Sequence, residues 1–111
     1  MGVNLSRGNP IKYYSSDRIT QLIGNGLLTF IHENTHYNNF FENDELIFYS
    51  NLNNLSEKIQ KFAKDDSTRK KIAKKGKAKY MKYFNSTIVA EYIISNTFDI
   101  KYKKGKYMWE N

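Results

Sequence analysis

The chain has 111 residues, 40% hydrophobic and 15% aromatic, with a formal net charge of +7 at pH 7. That is enough apolar material for one domain with a modest core, too little chain for two complete domains, and the wrong composition for a disordered tail. There is no cysteine, which excludes disulfides, thiolate metal sites and cysteine nucleophiles together, and fits a reducing, cytoplasmic setting.

No run of about 18 apolar residues is available to cross a bilayer, and MGVNLSRGNP lacks the apolar core of a signal peptide, so a soluble protein is expected. The positive charge is mostly lysine, which fits either an anionic partner or an ordinary solvated face.

In chain order, Val3 to Leu5 reads as a short strand running into the Gly8 and Pro10 loop. Ser15, Ser16 and Asp17 offer N-caps for a helix carrying Ile19, Leu22 and Ile23 at helical spacing, closed by Gly24-Asn25-Gly26. The compact apolar runs Leu27 to Ile31 and Leu46 to Tyr49 suit strands buried on both faces of a parallel sheet.

Asn54 to Lys64 reads as a helix with Asn54 as N-cap, Glu57 in a capping-box variant, and Leu55, Ile59, Phe62 and Ala63 inward. Ser67 is a cap candidate for a second helix. Its apolar positions Ile72, Ala73, Gly76, Tyr80, Tyr83 and Phe84 recur at helical intervals, with lysines on the other faces. A third helix from about Ser86 places Ile88, Val89, Tyr92 and Ile93 on one stripe. Residues 101–111 form a basic, aromatic tail expected to be flexible. Strands that alternate with helices and give way to helices predict an α/β fold: a Rossmann-like half-lobe with a small parallel sheet flanked by helices and a helical C-terminus.

On the first helix, Arg18, Gln21 and Asn25 share a polar stripe. In doubly wound folds ligands lie beyond the carboxyl ends of strands, where helix N-terminal amides attract phosphate. The Tyr13 to Ser16 loop occupies that place, and Arg18 is suited to a bidentate phosphate contact, while Asp17 opposes an anion. An ordinary capped surface helix shows the same stripe.

The run Ser16 to Leu28 resembles the Arg-x-Phe-Glu-x-x-Ala-x-Gly segment of group 1 and CgeB-like (spore-maturation type) glycosyltransferases. Phe40-Phe41, the Asp44-Glu45 pair before a strand, Asn54 to Ile59 and Arg69 to Gly76 are similar to the family in order and spacing. The resemblance implies that residues 1–100 are part of the C-terminal, nucleotide-sugar-binding lobe of a GT-B enzyme. Its substrate would be a nucleotide-sugar, with no other cofactor. It implies Arg18, Gln21 and Gly26 as donor-site positions, to which the place of the loop at the helix start adds Ser15 and Ser16. Gln21 stands where the family has a ribose-binding Glu; an amide still hydrogen-bonds hydroxyls but supplies no carboxylate. Tyr13 falls where the family's other Glu is expected. No catalytic base carries over, because in such enzymes that role generally belongs to the N-terminal acceptor lobe, which is the implied missing partner. Contact with the inner membrane surface is a further implication, and the isolated chain is expected to be inactive.

His32-Glu33-Asn34-Thr35-His36 matches the H-E-x-x-H zinc motif, whose chemistry needs both His on one α-helix. Asn34, Thr35, Tyr37, Asn38 and Asn39 form helices weakly, and Asn39 and Glu42 break the extended zincin pattern, so a chance match in a strand-to-loop turn and no metal are expected. The lysine-rich helix leaves open a stand-alone basic module for a membrane surface or RNA. Its aromatics lie on the apolar stripe, not among the lysines, so a nucleic-acid stacking platform is not expected.

Overall fold

The computed structural model describes residues 1–110. Three short strands, β1 (Gly2–Asn4), β2 (Thr29–His32) and β3 (Ile47–Tyr49), form a parallel sheet in the order β1-β2-β3. Val3 pairs with Phe30 and Ile31 with Phe48. The helices are α1 (Arg18–Gly24), α2 (Leu52–Lys64), α3 (Asp66–Tyr83) and α4 (Ser86–Thr97). This is an α/β, Rossmann-like half-lobe with a helical C-terminus. Among the described residues no helix is long and apolar enough to cross a membrane.

The apolar runs are continuous because both faces of the sheet are covered. Leu28, Phe30, Ile47 and Tyr49 meet Leu55 and Phe62 of α2 and Ile72 and Ala73 of α3. On the other face Ile31 and Phe48 meet Ile19 and Ile23 of α1, with Phe41 and Leu46. No α-helix joins β2 to β3. Two 3-10 turns, Glu33–Thr35 and Tyr37–Asn39, make the crossover, and Tyr37, Phe40 and Phe41 fill the place a helix would take. Phe41 stacks on Phe84 at 5.4 Å between centroids.

The close approach of α3 to the segment before β3 depends on Gly76. A Cβ there would stand 2.2 Å from the Glu45 carbonyl oxygen. On either side of this contact Lys75 pairs with Asp44, and Lys79 with Glu45 at 2.7 Å. With Lys70 paired to Asp66, part of the lysine stripe on α3 is neutralised within the chain.

Helix starts differ from the expected caps by a few residues, because this sequence crowds several capping side chains together. Asn51, not Asn54, caps α2, accepting from the Asn54 amide at 2.9 Å. Asn54 returns the favour, its side chain accepting from the Ser50 amide at 3.2 Å, so Glu57 has no part in the cap. Asp65, not Ser67, caps α3, accepting from the Thr68 amide at 3.0 Å. Hydrogen bonding from the Thr68 side chain first, and from its amide second, holds the Asp65 carboxyl below its usual pKa. Asp17 precedes α1 but makes no side-chain cap.

On α4 the expected stripe divides. Ile88 and Tyr92 are half-buried, whereas Val89 and Ile93 face outward. Residues 101–110 fold back onto this helix, a packing that their basic composition did not suggest. Tyr107 is 1% exposed and lies against Tyr92, Tyr102 and Trp109 with centroids 5.0, 4.9 and 5.5 Å away.

Candidate functional site

The three strands run parallel, so their carboxyl ends share one edge of the sheet, and the loops leaving that edge build a cleft. Leu5, Ser6, Gly8 and Pro10 follow β1, His32 closes β2, Tyr49 closes β3, and Asn51 and Leu52 open α2; together they enclose about 360 Å³. His32 Nδ1 accepts from the Asn34 amide at 3.1 Å. In the neutral ring the proton is therefore on Nε2, a donor at the cleft wall. The ring meets Tyr49 edge-on at 5.2 Å, and burial raises the Tyr49 pKa.

The loop from β1 to α1 is pinned beside this edge. Ser16 Oγ donates to Asn4 Oδ1 at 3.0 Å, and Asn4, the last residue of β1, is itself buried. Ser15 Oγ and Tyr37 Oη share a hydrogen bond of 2.7 Å. Burial raises the Tyr37 pKa, with the Ser15 bond acting in the opposite direction. Tyr13 has φ 60, a left-handed conformation uncommon outside glycine. Its amide donates to Thr35 O at 2.8 Å, its hydroxyl accepts from Asn39 Nδ2 at 2.7 Å, and its ring lies against Phe40.

The expected donor residues thus separate into three groups. Ser15 and Ser16 stand at the carboxyl edge with their hydroxyls already engaged. Arg18 and Gln21 are exposed on α1, and Arg18 makes no ion pair among the described residues. Gly26 lies at the other end of α1, roughly 10 Å along a helix of this length. With φ 72 it closes a Schellman motif, in which the Gly26 amide donates to Ile23 O at 2.9 Å and the Leu27 amide to Leu22 O at 3.0 Å. None of these five lines the cleft. Ser6, His32, Tyr49 and Asn51, which do, are scattered in sequence, and only their place at strand ends marks them.

The H-E-x-x-H segment is a three-residue 3-10 turn with His36 at φ 55. His32 and His36 therefore do not sit one α-helical turn apart. Among the described residues no three His, Asp or Glu side chains cluster as a metal site.

A family model described as "Glycosyl transferase-like" matches residues 1–95, from β1 through most of α4. The chain belongs to that family. No curated protein and no solved structure matches it.

Proposed function

We propose that this member of the glycosyl transferase-like family supplies the nucleotide-sugar-binding side of a GT-B enzyme of CgeB-like type, which transfers sugar to a glycan or lipid-linked acceptor. The observation that supports this most is the cleft at the carboxyl edge of the three parallel strands, bordered by Ser6, His32, Tyr49 and Asn51, where doubly wound folds receive nucleotides. Arg18 and Gln21, exposed near that edge, are available to a diphosphate and a ribose. Ser15 and Ser16 hold the loop that presents them, and Gly26 sets where α1 ends. The sheet forms one wall of the donor site. The acceptor and the catalytic base belong to a second lobe, so the chain alone does not turn over nucleotide-sugar.

The test is an NMR titration with nucleoside diphosphates and nucleotide-sugars. Shifts are expected at Ser6, His32, Asn51 and the Ser15 to Gln21 segment, with millimolar affinity. Binding of that strength is about 4 kcal/mol, and charge-assisted hydrogen bonds contribute roughly 1.5 to 3 kcal/mol, so Arg18→Ala should nearly abolish it. Shifts confined to the α3 lysines, unchanged in Arg18→Ala, would refute the assignment.

A further inference from the structure

The apolar residues of α4, Ile88, Val89, Ala90, Tyr92, Ile93 and Ile94, are spread around the helix and not confined to one face. From Ser86 to Thr97 its one charged residue is Glu91, which pairs with Lys106 of the returning tail. Only one side is covered, where Tyr92 meets Tyr102, Tyr107 and Trp109 at 6.4, 5.0 and 5.4 Å. Val89, Ile93 and Ile94 on the outer side remain 39%, 57% and 50% exposed. Helical spacing puts Ala90, Ile94 and Phe98 in one row and Val89 and Ile93 in the next.

The end of the helix extends this surface. The Phe98 amide donates to Ile94 O at 3.0 Å and the Ile100 amide to Ser95 O at 2.8 Å, around Asp99 in a left-handed conformation. This Schellman closure sets Ile100 beside the last turn, and Ile94 and Ile100 line one groove of about 660 Å³. Phe98 is 71% exposed. On the other flank of the ridge, Met81, Val89 and Ile93 border a second groove.

Immediately after this apolar end come Lys101, Lys103 and Lys104, all exposed and without an ion pair among the described residues. The acids nearby in sequence are Glu91, already paired, the exposed Asp99, and Glu110, whose Oε1 accepts from the Tyr102 hydroxyl at 2.6 Å. A second copy docked through this face would bring two lysine clusters together, on a chain of net charge +7. An anionic bilayer complements both parts, with apolar side chains entering the acyl boundary and lysines reaching lipid phosphates. On α3, Lys70, Lys75 and Lys79 already hold Asp66, Asp44 and Glu45, while Lys71, Lys74, Lys77 and Lys82 form the competing basic surface.

We propose that the outer face of α4, together with Phe98, Ile100 and the Lys101, Lys103 and Lys104 cluster, docks the protein onto an anionic lipid surface without crossing it. The experiment is sedimentation of the full chain with vesicles of phosphatidylcholine alone or mixed with phosphatidylglycerol. Binding is expected only with the anionic vesicles. Each lysine near such a surface is worth about fivefold in partitioning, so replacing all three by Ala should weaken binding roughly a hundredfold. Phe98→Ser with Ile100→Ser should weaken it about tenfold or more. Both variants change exposed residues, so their circular dichroism should match the parent. Replacing Lys64, Lys71 and Lys74 by Ala removes the same charge elsewhere and should have a much smaller effect. Equal loss in that control, undiminished binding by Phe98→Ser/Ile100→Ser, or equal binding to neutral vesicles would overturn the proposal. So would a dimer that Phe98→Ser dissociates in a chain that ignores vesicles, which would make the face a protein interface.

Discussion

Gly76→Ala tests the packing of the fold where two effects of one methyl group oppose each other. In an isolated helix alanine is favoured over glycine by about 0.5 to 1 kcal/mol. Here the new Cβ would lie 2.2 Å from the Glu45 carbonyl oxygen, against 3.4 Å or more for ordinary contact. The obstacle is backbone, so no rotamer relieves it, and α3 must move away by more than an ångström. That movement pulls on the Lys79–Glu45 pair, whose side chains are only 16% and 17% exposed. Overpacking costs about 1 to 3 kcal/mol, occasionally more, and a backbone obstacle belongs at the upper end. The net expectation is a loss of about 2 kcal/mol, or roughly 10 °C in Tm for a chain of this size. Gly24→Ala is the paired control. At the end of α1 its Cβ would meet only Met81 Cε, at 3.8 Å, so a gain of about 0.4 to 1 kcal/mol is expected. Urea unfolding followed by far-UV circular dichroism measures both. If Gly76→Ala matches the parent while Gly24→Ala gains as expected, the close approach of α3 to Glu45 is not what requires glycine.

Burial raises the pKa of both Tyr37 and Tyr49. The stability this represents is therefore present below the unfolded phenol value of about 10 and lost as pH rises from there through the higher folded values. Urea midpoints should hold up to about pH 9 and fall from about pH 10 upward, and Tyr37→Phe should flatten that fall; an identical slope in the variant would count against Tyr37. The same substitution removes the Ser15 bond and should cost about 0.5 to 1.5 kcal/mol near neutral pH. Tyr107→Ala, at a residue 1% exposed, should cost about 3 to 5 kcal/mol and expose α4 to limited proteolysis; parental stability would show that the tail cluster contributes nothing. Purified without added metal, the chain should carry no stoichiometric zinc, given the 3-10 turn at His32 to His36. Metal analysis that found one equivalent would reverse that reading.

The sheet was legible because Leu27 to Ile31 and Leu46 to Tyr49 are apolar without alternation, the mark of strands covered on both sides. The end of α1 was legible too, since Gly24-Asn25-Gly26 contains the left-handed residue a Schellman closure needs. Caps were less so. Asn51 and Asn54, or Asp65 and Ser67, are chemically equivalent signals a few residues apart, and the choice between them depends on which start lets Phe62 or Ile72 reach the core. For α4, periodicity found apolar residues but could not say which were covered, because apolar and polar residues alternate around the helix and leave no single polar face to orient it. Tyr107 in the tail is buried by partners, Tyr92 and Trp109, that helical or strand spacing does not connect.

The candidate site shows the same limit more sharply. Spacing reveals residues that share one element, so the Arg18, Gln21 and Asn25 stripe was visible, as was the pair His32 and His36. A cleft at the carboxyl edge of a parallel sheet draws one or two residues from each strand end, and no spacing rule links Ser6, His32, Tyr49 and Asn51. His32 illustrates the cost, because the motif that draws attention to it also assigns it the wrong neighbour. In the fold its Nδ1 serves the turn that follows β2 and its ring rests on Tyr49, which leaves Nε2–H as a hydrogen-bond donor at the cleft. Ser15 and Ser16 make the converse point. Residue type suggests phosphate contacts, but their hydroxyls tie the loop to Tyr37 and to Asn4. On the proposed reading such serines act by fixing where Arg18 begins its helix, so replacing them should alter nucleotide affinity only through loop order, whereas Arg18→Ala should remove affinity with the loop intact.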